Sequence, residues 1–194
     1  MSDFEFFFSY YGLVLGLSVA VIVGGLARAL NARRDLAIGV LTPLLALFIL
    51  LDITSFWLFA WDGRDRLVVG WSTLFSGLIT AGTYYLASSM LFPHADSGWD
   101  SLDQHYWSKK RWVVGGILAA NAMIAITAFA ARPPELDDWL TYVWQIAYFG
   151  PLIALLLSRR RGLDIGLLVW LIAYYLATAT GAVPESNWGQ ATIL

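Results

Sequence analysis

Residues 36–61 read LAIGVLTPLLALFILLDITSFWLFAW, from Leu36 to Trp61. One ionisable side chain, Asp52, stands in a run otherwise free of charge. At about 1.5 Å of rise per residue, a helix of this length covers the roughly 30 Å of a bilayer's hydrocarbon core. The run therefore predicts a membrane-spanning helix with a carboxyl group inside it.

Working outward, five further apolar runs of similar length appear: Phe6 to Leu30, Leu67 to Phe92, Trp112 to Ala131, Trp139 to Leu157 and Leu163 to Ala182. Across all 194 residues, 59% are hydrophobic and 13% charged, against about a quarter charged in soluble domains. The expected fold is an all-α integral membrane protein, a bundle of about six transmembrane helices making one domain over residues 1–194. The N-terminal Met-Ser-Asp-Phe-Glu lacks the basic region of a signal peptide, so the first helix is expected to be retained.

Orientation follows from Lys and Arg, which concentrate on the cytoplasmic side of membrane helices. Arg28, Arg33, Arg34, Lys109, Lys110, Arg111, Arg159, Arg160 and Arg161 border the first, third and fifth connections, against Arg64, Arg66 and Arg132 at the second and fourth. Both termini are thus expected outside a bacterial-type inner (plasma) membrane. Trp57, Trp61, Trp71, Trp107, Trp112, Trp139 and Trp188 fall near helix ends, where indole rings favour the headgroup layer. The segment 93–111 is the longest connection and is read as a cytoplasmic interfacial segment. Ser97 and Asp100 would open a short helix there, with Trp99, Leu102 and Tyr106 on one face.

Several functions are excluded or left without support. The chain has no cysteine, which removes thiolate catalysis and Cys-ligated metals. No histidine or lysine lies in the apolar runs, so neither an intramembrane His-ligated haem nor a retinal Schiff base has an anchor. A net charge of −2 gives no footprint for nucleic acid. Phosphate-binding glycine loops, Gly-x-Ser-x-Gly elbows and His-Glu-x-x-His signatures are missing. No cofactor is predicted.

Three features remain. Asp52 is costly inside a bilayer, by about 3 kcal/mol on insertion scales, so such a group usually faces a bundle interior, a polar partner or water. Asn121 and Gln145 fall at comparable depth, and Thr80, Tyr174 and Tyr175 lie within a turn or two, so these residues are expected to form a polar layer. It would serve an ion or proton path, a structural hydrogen-bond network, or a catalytic or ligand-orienting acid. Second, Gly12, Gly16, Ala20 and Gly24 repeat every four residues, a ridge expected to pack closely, inside the bundle or against another subunit. Third, His94, Asp96, Asp100, Asp103 and His105 are metal-ligand types at no recognised spacing, weak candidates for a divalent-ion or hydrolase site.

Pro43 and Pro151 are expected to kink the second and fifth helices, with an opened backbone near Gly150-Pro151. Tyr84-Tyr85-Leu86-Ala87-Ser88 and Tyr174-Tyr175-Leu176-Ala177-Thr178 hint at an inverted repeat of three helices. The leading functional expectation is a small transporter or channel-like protein, moving a proton, ion or small solute past the polar layer. It is more a carrier than an enzyme, and homo-oligomeric or joined to a partner in the membrane. The alternatives are an accessory subunit of a larger membrane complex and a membrane enzyme acting on lipid at the cytoplasmic face.

Overall fold

The computed structural model describes residues 2–33, 37–62, 64, 70–93, 101–131 and 138–180. Among them are six helices: α1 (Asp3–Asn31), α2 (Leu41–Asp62), α3 (Trp71–Ser89), α4 (Leu102–Ala131), α5 (Trp139–Leu157) and α6 (Arg161–Ala179). Five are long and apolar enough to cross a membrane, all but α3. The surface they present is apolar: Trp71, Trp112, Ile126, Trp139, Ile146 and Leu157 are all largely exposed. Water disfavours an apolar surface this extensive, whereas lipid does not. The architecture is consistent with a helical membrane bundle.

The run of α3 is diluted by Ser, Thr and Gly. Its hydroxyls turn back on their own helix, Ser76 to Thr73 O (3.0 Å), Thr80 to Ser76 O (2.9 Å) and Thr83 to Ile79 O (2.7 Å). Such bonds meet the polar demand of those side chains without water.

Successive helices run in opposite directions, and neighbours form a ring in the order α1, α3, α4, α5, α6, α2. α2 also packs on α4, which brings it to the middle. Its apolar residues show almost no sidedness, as expected of a helix that packs on several neighbours, although Leu47 and Leu58 remain exposed. Leu45, Ala46, Phe48, Ile49, Ile53 and Phe56 are all buried. α1 by contrast is buried along one stripe, through Phe7, Tyr11, Leu15, Ser18, Ile22, Gly25 and Ala29.

Two helix starts and two prolines differ from the sequence reading. α2 starts at Leu41, not Leu36, because Gly39 takes the left-handed conformation (φ 63°). A Cβ at Gly39 would also collide with the Asp103 carboxylate, whose Oδ1 accepts from Leu41 N (3.4 Å). Pro43 thereby falls in the first turn of α2, where a missing N–H breaks no helical bond, so it is an N-terminal proline and not the expected kink. α5 runs unbroken through Pro151, without the opened backbone expected there.

α4 begins at Leu102, ten residues ahead of the expected Trp112. Residues 102–111 are therefore its first turns. Leu102 and Tyr106 turn into the bundle and are buried instead of lying along an interface. Leu102 N donates to Ala37 O (2.9 Å) and Thr42 Oγ1 donates to Leu102 O (3.1 Å), which ties this turn to the start of α2. Ser97, Trp99 and Asp100, read as opening a separate helix, lie outside the described residues.

Of the two contacts expected for the small-residue ridge of α1, inside the bundle or against another subunit, the internal one is not made at its centre. Gly16 has open space where a Cβ would stand, Ala20 is exposed, and Gly12 and Gly24 sit on the flank of the buried stripe. The close approach is made one position further on, at Gly25, where a Cβ would overlap the buried ring of Phe92 at the end of α3. Gly25→Ala is thus expected to destabilise the detergent-solubilised protein by about 1–3 kcal/mol as an overpacking change. Gly16→Ala should be neutral or stabilising by up to about 1 kcal/mol. Thermal unfolding of the two variants side by side checks the difference.

Candidate functional site

All of the structure's central polarity converges on Asp52, which is wholly buried at mid-length in α2. Tyr84 of α3 and Asn121 of α4 donate to its Oδ2, the amide at 3.1 Å. Tyr148 of α5 (2.8 Å) and Tyr175 of α6 donate to Oδ1. A carboxyl group has about four lone-pair positions, and four donors from four different helices meet them. Asn121 Nδ2 also reaches Tyr84 Oη (2.7 Å) and Ile117 O (3.0 Å), joining the donors to one another.

The rings that carry these hydroxyls pack as a block. Phe56 meets Tyr84 edge-on at 4.9 Å between centroids. Tyr148 lies 5.6 Å from Tyr174 and 6.0 Å from Tyr175, and Trp144 lies 5.9 Å from Tyr174. Such tilted and edge-to-face pairs are preferred by aromatic quadrupoles and fix each hydroxyl's direction.

One side of this cluster is hollow. A cavity of about 430 Å³ lies between α2, α4, α5 and α6, with Asn121, Tyr148 and Tyr175 at its inner end. From there it runs past Thr54, Gln145 and Trp144 to Leu58 and Thr178, toward the end of the bundle where α2, α4 and α6 finish. Its size falls in the range of small-molecule sites, about 300–1,000 Å³. The lining has no charged side chain.

The other side of the cluster is apolar. Val113, Val114 and Ile117 of α4, Leu152 and Leu155 of α5 and Leu168 and Leu171 of α6 are buried there. Beyond them lies a second polar group. Lys110 Nζ pairs with Asp164 Oδ2 at 2.6 Å and donates to Ser158 O at 2.8 Å, and Tyr106 Oη donates to the same carboxylate oxygen at 2.8 Å. Lys110 is 2% and Asp164 0% exposed, so the pair is shielded from direct contact with solvent. Asp164 Oδ1 has no hydrogen-bond partner among the described residues.

Of the expected polar layer, the structure joins Asp52, Asn121 and Tyr175 directly and puts Gln145 and Tyr174 on the cavity wall. Thr80 stays apart, bonded to its own helix one turn from Tyr84. Tyr84 and Tyr148 were missed. The signal for Tyr148 was its place at the middle of an apolar run, where a hydroxyl must find a partner, unlike a tyrosine at a helix end. Lys110 and Asp164 carry no such signal, since Lys110 lies ahead of the apolar run that begins at Trp112 and Asp164 reads as an ordinary first-turn acid. The Tyr-Tyr resemblance between α3 and α6 does not survive as a functional match, since the first tyrosine of one pair and the second of the other reach Asp52.

For the weak metal candidates, Asp103 and His105 are spent on structure. Asp103 receives Leu41 N and pairs with Arg161 at 3.2 Å, and His105 Nε2 lies 3.0 Å from Met90 O. His94, Asp96 and Asp100 lie outside the described residues. Among the described residues no group of three or more His, Asp or Glu is arranged to hold a metal. No protein family, curated protein or solved structure matches the chain.

The two polar groups make separable predictions. Tyr148→Phe removes one donor from a buried carboxyl and is expected to destabilise by about 1–3 kcal/mol. Tyr174→Phe, whose hydroxyl does not reach Asp52, should cost less. In the other group, Lys110→Met alone or Asp164→Asn alone is expected to cost about 3–5 kcal/mol by stranding its partner, while the double variant recovers most of that loss. A double-mutant cycle by thermal unfolding measures the coupling.

Proposed function

We propose that the chain is a transporter or channel-like protein of a bacterial-type plasma membrane, passing a proton, an ion or a small solute along the Asp52 cluster. The observation that carries this reading is the cavity itself, which reaches from one end of the bundle to the donors of a buried carboxyl and stops there. A purely structural Asp52 would need its hydrogen bonds but not a 430 Å³ hollow against them. In this reading α3 is a sixth span, and both termini are outside because the basic residues gather where α1, α3 and α5 end. The cavity then faces outward, and the Lys110–Asp164 pair with the apolar layer above it closes the cytoplasmic end.

Transport needs a route that opens to each side in turn. A buried ion pair is a suitable closure, since water entering the site would weaken it. The lipid-enzyme reading draws less support, because the described part of the 93–111 segment is engaged in holding α2, α3, α4 and α6 together. An assembly role, as a homo-oligomer or accessory subunit, is favoured by one observation: the Gly16–Ala20 ridge faces outward and is unused within the chain.

The test is flux into liposomes holding the purified full-length protein. Asp52→Asn, which retains the acceptor shape but not the charge, is expected to lower flux at least about tenfold while the protein remains folded; tenfold corresponds to about 1.4 kcal/mol. Unchanged flux in a folded Asp52→Asn protein would remove Asp52 from the path. Native mass spectrometry of the protein drawn from its own membrane addresses assembly, where a stoichiometric foreign subunit would favour the accessory role.

A further inference from the structure

We infer that the cavity's occupant is a small organic cation, an alkylated amine or quaternary ammonium, held by aromatic rings and the charge of Asp52. This rests on the transport reading for the cavity's role and adds the chemical class of what enters it.

The argument begins with what the walls lack. No Lys, Arg or His lines the cavity, so an anionic solute finds no counter-charge and meets the field of Asp52 at the inner end. A bare metal ion fares no better. It needs several oxygen ligands with free lone pairs, and those of Asp52 are already taken by Tyr84, Asn121, Tyr148 and Tyr175. The other wall oxygens, the hydroxyls of Thr54, Ser55 and Thr178 among them, are neutral, and no carboxylate stands on the wall to offset the dehydration of a bare metal ion.

What the walls supply suits an organic cation. Trp144, Tyr148, Phe149, Tyr174 and Tyr175 share the lining, and aromatic faces attract ammonium groups by about 0.5–2 kcal/mol each, most when water is excluded. The carboxyl of Asp52 stands one hydrogen bond behind two of those rings, so its charge acts on the cavity without an oxygen being offered for direct ligation. Alkyl groups would rest on Leu51 and Ile124. Two wall groups on α5 are also unspent. The buried Trp144 Nε1–H has no acceptor, and the Gln145 amide makes no hydrogen bond to the described residues. A hydroxyl or carbonyl on the cation would find both.

The experiment uses the full-length protein in nanodiscs and three probes of one shape but different charge: choline, its neutral carbon isostere 3,3-dimethylbutan-1-ol, and the anion 3,3-dimethylbutanoate. Calorimetry is expected to show choline binding at least about tenfold tighter than the neutral isostere, a difference of about 1.4 kcal/mol, with no binding of the anion. Asp52→Asn should erase the preference for choline over the neutral isostere. Should that variant fail to fold, Trp144→Leu on the wall is expected to weaken choline by a similar factor. Binding of the neutral or anionic probe as tightly as choline, or no choline binding at millimolar concentration, overturns the inference. Charge-selective binding without flux in liposomes would overturn the transport reading and retain the ligand class; flux of an uncharged or anionic solute without choline binding would do the reverse.

Discussion

A carboxyl group in the middle of a lipid-soluble bundle has to be satisfied by the protein, and here the demand of Asp52 organises the fold. Its two oxygens gather hydroxyls or an amide from α3, α4, α5 and α6, while α2 carries the group itself. Helices in lipid gain little from apolar burial against one another, so directional bonds and close packing must specify their arrangement. A single carboxyl shared by four helices does that: each donor is drawn to the same point, which constrains the helix behind it in both rotation and depth.

The rest of the architecture can be read from that centre. α2 must be central, and its nearly uniform apolar surface lets it pack on α1, α4 and α6 at once. The ring of helices around it closes tightly at the end where Asp103, Lys110, Asp164 and Arg161 meet. At the opposite end α2, α4, α5 and α6 stand apart and leave a hollow. One end of the bundle is thus tied by charge and the other lined by rings.

The helices themselves were legible in the sequence because apolar run length is a strong signal and lipid imposes it directly. Asp52, Asn121 and Tyr175 were legible for the complementary reason, that polarity in an apolar run demands explanation. The limits were contextual. Helix starts at Leu41 and Leu102 depend on Gly39 meeting Asp103, a contact between segments some sixty residues apart. Tyr84 and Tyr148 look like ordinary aromatic residues until neighbours bring their hydroxyls to one point. Lys110 passed for one of three surface cations beside Lys109 and Arg111, although burial of its ammonium sets it apart from both. For the α1 ridge an internal and an intersubunit contact both stood open, because small residues at four-residue spacing mark a smooth face without saying which way it turns.

One spacing has mechanical meaning. On α4, Lys110 and Asn121 are eleven residues apart, and on α6 so are Asp164 and Tyr175. Eleven residues make about three turns and about 16 Å, so each pair lies on one face of its helix. α4 and α6 run the same way, both packed against α5, and are linked at two levels: by Lys110 with Asp164, and through Asp52 by Asn121 with Tyr175. They behave as two rails with two rungs. Sliding one rail along the other would break both rungs together, whereas loss of one rung leaves the other as the single fixed level between them.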